Sequence, residues 1–536
     1  MCNLLRLMNR FRGDQRGNIA VIFAIACVPI ISAVGCAADY SMATRMRAKL
    51  QSAVDAASVA SISQYSPGFI AAAAMTTNGS VAAGVTDANN IFNGIMTTMT
   101  GYSNLSVTTT VTKTGIKLTS NVQYSASVPT TFMNVVGWSS MTISGSSSSS
   151  ASLPPYIDFY LTLDVSGSMG LPSTSAEAVR MQSVNPDNYR QYPTGCTLAC
   201  HFAPQNSACT DSGTQAYPTN NYCLGYAISR VSQSGFTSLL STTTVNSTYP
   251  AGKKLSSAMV SGLPNSLYAA LPPVPTCPTA GTDACIQLRL DAVGFALNAT
   301  QAANGLSGLF ETANLREKVT NQFRIGLYPF IQKLNANYFP LTSAINGSPT
   351  NSSTINYAAA NLASLLDTNM DANLGSGGTH IDQALHDING VIASVGDGSS
   401  WTNTLPYVFL VTDGAQDPQT KGVPNGGWSG SNHATVLSDP SNAYPNACAT
   451  LKARGIIVSV LYIPYQIINP VNASFAGDED DYANWNIPNI PASLQACASP
   501  PDAGGSYFYT ANSPTEIQSS LNAMFNHSLT TAHITN

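Results

Sequence analysis

The chain has 536 residues, of which 44% are apolar and only 9% charged, and its formal net charge is −5. That length exceeds one ordinary domain and predicts two or three. The weakly acidic balance, with no basic stripe downstream of Lys49, excludes the electrostatic footprint of a nucleic-acid binder.

The N-terminus is unlike the rest. Residues 1–17 carry Arg6, Arg10, Arg12 and Arg16 against the single acid Asp14, and Asn18–Ala38 then runs 21 residues without a charge. At about 1.5 Å per residue this segment reaches across a bilayer core of about 30 Å. The flanking arginines predict a cytoplasmic N-terminus. A secretory signal has a shorter apolar region, roughly 7–15 residues. Lipoprotein-type processing at Cys36 also competes, because AVGC loosely resembles a lipobox, but Ala33 stands where leucine is expected. Pro29 is tolerated inside a membrane helix. The expectation is one uncleaved anchor over 18–38, with everything after Asp39 outside the cytoplasm.

From Asp39 to Gln64 the pattern stays helical, with Met46, Leu50, Ala53, Val54, Ala57 and Val59 as the apolar stripe. Pro67-Gly68 ends that pattern, and a second helix closes near Met96. The Thr/Val alternation after Leu105, with a turn at Thr114-Gly115, predicts a small antiparallel sheet. Gly145–Pro155, GSSSSSASLPP, reads as a linker by composition. The region 39–155 is therefore a helical stalk, a small β region and a Ser-rich linker.

From Tyr156 strands alternate with helices. YIDFYLTLD, QFRIGLYPF, LPYVFLVTD, IIVSVLYIPY and GSYFYTA read as strands. Between and after them, IQLRLDAVGFALNATQAAN, TINYAAANLASLLDTN, THIDQALHDINGVIASV, NACATLKARG and TEIQSSLNAMFNHSL read as helices. Strands apolar on both faces and alternating with helices predict an open α/β sheet covered on both sides. Positions 171–285, rich in Pro, Ser, Thr, Tyr and Cys, are too long for a structureless loop and predict a cysteine-stapled insertion.

Eight cysteines follow the membrane segment, an even number that predicts disulfides outside the cytoplasm. Cys277–Cys285 is the first expected pair and Cys448–Cys497 the second. CTLACH, Cys196 to His201, has one residue too many for a haem-attachment signature, and disulfides are the simpler expectation over haem or zinc. GDEDDY, with Asp478–Asp481, reads as a solvated acidic loop, and Asp417 is weighed with it as a calcium alternative. Asp158, within the first strand, is expected to be structural or to mark an edge.

Three segments with suitable chemistry fall at strand ends or helix starts. They are Asp164-Val-Ser166-Gly-Ser168, Thr379 behind Gly377-Gly378, and Asp413 before Gly414. Two carboxylates and three hydroxyls are hard oxygen ligands, suited to Mg2+ rather than to zinc or copper. They neutralise the ion's charge without filling its coordination, which leaves a position for an acidic residue of another protein. No nucleophile elbow, HExxH or Walker loop accompanies them, and no general base is evident. A non-enzymatic binding protein is the expectation; metal-assisted hydrolysis would need an activated water and a base.

The order DxSxS, then GGT, then a strand ending in TDG resembles the metal-ion-dependent adhesion site of von Willebrand factor type A domains. The likeness implies a Rossmann-like, doubly wound, mostly parallel sheet over 156–536. It also implies Asp164, Ser166, Ser168, Thr379 and Asp413 as ligands of Mg2+, Mn2+ or Ca2+. RGNIAVIFAIACVPIISAVGCAADYSMATRMRAKLQSAVDAASVA is similar to the opening of TadG-like proteins of Flp-type (tight-adherence) pilus assembly. SVPTTFMNVVG fits the β segment that such proteins carry next, and GCTLACHFAP is similar to their cysteine-containing insert. This resemblance implies a single-pass bacterial inner-membrane protein with its C-terminal domain in the periplasm or envelope, adhering to other pilus-assembly or envelope subunits. The alternative is a pilin-like structural scaffold of the envelope with a metal-independent type A domain.

Overall fold

The computed structural model describes residues 17–175, 177, 287–299, 305–366, 372–375, 378–416, 437–440, 442–464, 467, 484 and 487–531. The basic tail, most of the 171–285 insertion with Cys277–Cys285 and CTLACH, Asp417 and Asp478–Asp481 lie outside the described residues. The chain forms two units, Met1–Leu153 and Pro154–Asn536.

The first unit is built on helix α1, Gly17–Ala60, with Pro29 inside it. One part of α1, from Val21 on, is long and apolar enough to cross a membrane. Val21, Phe23, Ile25, Val28, Ile31 and Val34 are 56–69% exposed, so none of the described residues covers these side chains. Beyond it the same helix becomes a core element. Leu50, Ala53, Val54 and Ala57 are fully buried, whereas Val59, expected in the stripe, is 57% exposed. The helical period explains the difference, because Val59 lies about 200° around the helix from Ala57. Two further helices, α2 (Pro67–Ala74) and α3 (Ala82–Met96), follow. Phe92 and Met96 of α3 join the core.

That core faces a sheet of β1 (Gly79–Ser80), β2 (Ser103–Thr114), β3 (Lys117–Pro129) and β4 (Ser140–Ser152), in the order β1-β2-β3-β4 and antiparallel throughout. Along β3 burial alternates residue by residue, with Val122, Tyr124, Ala126 and Val128 inward, as a half-buried strand requires. The hairpin turns at Gly115, whose φ of +59° suits glycine. The Ser-rich stretch corrects the linker expectation: Ser140–Ser152 is a strand paired along its length with β3. Serine has no intrinsic preference strong enough to prevent this, since ladder hydrogen bonds use only backbone. Its hydroxyls also find partners, Ser147 and Ser149 both bonding the buried Ser58 of α1 at 3.0 and 2.7 Å.

The second unit is a six-stranded sheet. Its strands are β5 (Ile157–Asp164), β6 (Phe323–Phe330), β7 (Phe339–Thr342), β8 (Leu405–Thr412), β9 (Ile457–Tyr462) and β10 (Phe508–Thr510). The order is β10-β9-β8-β5-β6-β7, and every pair is parallel except β6 with the edge strand β7. The chain thus starts in the middle, builds outward through β6 and β7, returns, and builds the other way from β8. All eight residues of β5 are buried, so both of its faces are covered. On one face Phe159 meets Phe323, Tyr407, Phe409 and Phe525 with ring centroids 5.2–6.1 Å apart.

The helices of this unit are α4 (Arg289–Asn298), α5 (Leu309–Arg316), α6 (Ile355–Ala360), α7 (Ile381–Val391), α8 (Ala447–Ala453), α9 (Ile490–Cys497) and α10 (Pro514–Thr531). Gly455 follows α8 with φ +85°, in the left-handed conformation expected after a helix end. Cys448 of α8 and Cys497 of α9 form a disulfide with Cα atoms 5.1 Å apart. Asp158 does not mark an edge. It lies in a central strand, gripped by Arg324 Nε and Nη2 at 2.7 and 2.6 Å and by the Thr404 hydroxyl at 2.6 Å.

Candidate functional site

Strand order decides where a site can form. Between β5 and β8 the direction of building reverses, and two neighbouring strands send their following loops to opposite sides, leaving a crevice at their carboxyl ends. Asp164 is the last residue of β5, and Asp413 directly follows β8. With Leu163 registered against Val411, the two carboxylates come from adjacent strand ends.

After Asp164 the chain makes a tight turn. The Ser166 amide donates to Asp164 Oδ1 at 3.0 Å, and the Ser166 and Ser168 hydroxyl oxygens lie 3.1 Å apart. One 3-10 turn over Gly167–Gly170 brings the two serines together. At β8 the Thr412 hydroxyl donates to Asp164 Oδ2 at 2.6 Å and accepts the Gly414 amide at 2.9 Å. Gly414 takes φ +78°, and a Cβ there would strike Ile490. Only glycine makes this turn without strain.

Thr379 precedes α7. The next amide, His380, donates to Ile331 O at 2.8 Å, while the Val165 amide donates to Phe330 O at 3.1 Å. The Thr379 segment and the Asp164 turn therefore hang on consecutive residues at the end of β6. A second tie joins α7 to the Asp413 loop, because Gln416 Oε1 accepts the Asp382 amide at 3.1 Å. The structure brings all three segments to the same rim of the sheet.

Asp164 and Asp413 are wholly buried, and Ser166, Ser168 and Thr379 are only 3–7% exposed. Burial first, and the neighbouring Asp413 charge second, push the Asp164 carboxyl up to about 7 against an ordinary 3.8; the Thr412 and Ser166 hydrogen bonds oppose this. Two buried carboxylates side by side call for positive charge. One source is present: Arg289 of α4, 4% exposed, places Nη1 3.5 Å from Asp413 Oδ2, while its Nη2 donates to Pro464 O at 3.0 Å.

A divalent cation fits the donor set. A carboxylate oxygen has lone pairs for more than one donor, so Asp164 Oδ1 and Oδ2 can each accept again beyond the Ser166 and Thr412 bonds. Neighbouring ligands of an octahedral Mg2+ at about 2.1 Å lie about 3 Å apart, which is the spacing of the two serine hydroxyls. Among the described residues no three His, Cys, Asp or Glu side chains gather as a metal site. Sequence reasoning passed over Thr412, although it stands inside the quoted TDG, and over Arg289. The signal for Arg289 was an arginine opening a helix whose residues from Ala292 to Leu297 are all uncharged and mostly buried.

No curated protein matches the chain. Among solved structures, proximal thread matrix protein 1 from the mussel byssus is similar over 41% of this chain and 41% of its own, at 15% identity and TM-score 0.22. The pilus adhesin SpaC from Lactobacillus rhamnosus GG is similar over 80% of this chain and 34% of its own, at 12% identity and TM-score 0.27. Its open conformation gives 0.26. The chain thus spans well under half of either protein, and at such TM-scores these likenesses carry no weight for fold or function. Residues 17–75 match the family described as putative Flp pilus-assembly TadE/G-like. The chain therefore opens with a Tad domain, which points to a part in Flp pilus assembly and to association with the envelope.

Proposed function

We propose that the protein is a membrane-anchored, non-enzymatic binding component of Flp pilus assembly. In this reading α1 passes once through a bacterial inner membrane. The second unit is a von Willebrand factor type A domain in the periplasm or envelope, and it grips an acidic residue of another envelope subunit. The observation that carries the proposal is the buried Asp164–Asp413 pair at the point where strand order reverses, with Ser166 and Ser168 turned together beside it.

Asp164, Ser166, Ser168, Thr379 and Asp413 would hold the ion, Mg2+ or otherwise Mn2+ or Ca2+. Once bound, the ion supplies an electrophilic position for a partner's carboxylate. The chain's own residues do the rest. Thr412 and the Ser166 amide orient Asp164, and burial keeps water from competing for the carboxylates.

One observation favours the alternative, an envelope scaffold whose type A domain needs no metal: Arg289 already faces Asp413. Titration calorimetry of the full chain with Mg2+ separates the two. The adhesion reading expects saturable binding that Asp164→Ala and Asp413→Ala abolish, with partner cross-linking in intact cells lost on chelation. Cross-linking indifferent to EDTA, together with no Mg2+ binding by the wild type, leaves the scaffold.

A further inference from the structure

In the first unit, the connection from β3 to β4 is an apolar tip with an unusual fastening. Phe132, Val135 and Trp138 are 46%, 86% and 64% exposed, and no charged residue occurs between Lys117 and Asp158. Three large apolar groups within seven residues, left uncovered, mark a contact surface.

The fastening sets what that surface meets. Asp39 of α1 is 3% exposed, and its carboxylate accepts the amides of Thr131, Phe132 and Met133 at 3.1, 2.8 and 2.7 Å. One helical turn nearer the N-terminus, Gly35 makes room for Phe132, whose Cβ any side chain at Gly35 would strike. Gly35 lies within the charge-free segment 18–38, directly after the exposed Val34. The tip thus reaches from Asp39 toward the membrane-spanning part of the helix.

Its backbone is also prepared for a poorly hydrated place. Phe132 and Met133 donate to Asp39; Val135 donates to Phe132 O, Gly137 to Asn134 O and Trp138 to Met133 O, at 3.0–3.1 Å. The Thr130 hydroxyl and the Trp138 carbonyl close the loop. Amides bonded internally need no water, the condition for backbone at the edge of hydrocarbon. Tryptophan favours that level of a bilayer.

We propose that the Thr131–Trp138 tip is a second membrane contact, seated in the headgroup region of the outer-facing leaflet and locking the first unit to the bilayer beside α1. This rests on the membrane-anchor reading of α1. The occupant is lipid, because the tip is continuous with the apolar surface of the helix it is bonded to.

The test uses the full chain in phosphatidylcholine vesicles, with Trp401, Trp428 and Trp485 replaced by Phe so that Trp138 alone emits. Lipids brominated at shallow acyl carbons are expected to remove most of its emission, while aqueous iodide leaves it unchanged. Val135→Asp is expected to shift that emission to the red and weaken the lipid quenching. A companion chain carries Phe23→Trp with Trp138→Phe in the same background. If lipid bromines quench Phe23→Trp but not Trp138, the tip meets water or a protein and the proposal falls while the anchor stands. If neither is quenched, both fall.

Discussion

Replacing Asp164 by Asn tests the centre of the functional reading, because it keeps the shape and removes one charge from a buried pair. At about 1.4 kcal/mol for each tenfold change in proton affinity, a rise from 3.8 to about 7 corresponds to ~4 kcal/mol. The folded-state value lies above the unfolded one. This group's contribution to stability is therefore complete below pH 4 and is lost as pH rises through about 7. In EDTA at pH 8 the wild type bears that loss and Asp164→Asn does not. The amide keeps an oxygen for the Ser166 amide but turns an NH2 toward Thr412, whose hydroxyl then loses its acceptor, at a cost of about 1 kcal/mol. The variant should be the more stable by ~3 kcal/mol, near 5 °C in melting temperature for a unit of this size. The gain should shrink to below about 1 kcal/mol at pH 5 and vanish at about pH 4.5, where the remaining penalty on the wild type equals the cost of the amide. Adding Mg2+ should reverse the order at pH 8 by raising only the wild type. Thermal melts of the full chain in detergent, followed by near-ultraviolet circular dichroism, make the comparison. A variant that melts below the wild type at pH 8 in EDTA would mean that Arg289 and the hydrogen bonds already neutralise the pair, and the reasoning fails.

Two further predictions concern the scaffold around the site. Cys448→Ser removes a cross-link spanning 49 residues, worth up to about 4 kcal/mol by loop-closure entropy; a urea midpoint unmoved by the substitution, or by dithiothreitol on the wild type, would contradict it. Arg324→Ala leaves the buried Asp158 with the Thr404 hydroxyl as its remaining side-chain partner of those named above. Because Arg324 is 36% exposed, the expected loss is about 2 kcal/mol rather than the larger cost of a fully buried pair. Adding Asp158→Asn should recover part of it, and a double mutant no more stable than Arg324→Ala would refute the coupling.

Local pattern made much of this chain legible. β5, β6, β8 and β9 stand where apolar runs predicted them, since a strand buried on both faces has little other composition available. Leu50, Val54 and Ala57 appear in the core because helical period alone places them on one face. The short edge strand β7 and helices α5 and α9 were not anticipated. β7 has only four residues, partly exposed, at 339–342, and a segment so short carries no period. The serine strand β4 was misread because composition describes side chains, whereas its pairing is made by backbone.

The sequence by itself determined which hydroxyls and carboxylates were available, at which strand ends, and that 18–38 is a charge-free segment long and apolar enough to cross a membrane. Those properties reside in single segments and need no partner. Only the tertiary structure decided that Thr412 bonds Asp164 across 248 positions, that Arg289 faces Asp413, and that Asp39 holds the amides of a loop more than ninety residues away. Such pairings follow from strand order and helix placement, which long-range packing selects among many arrangements that the local pattern allows equally.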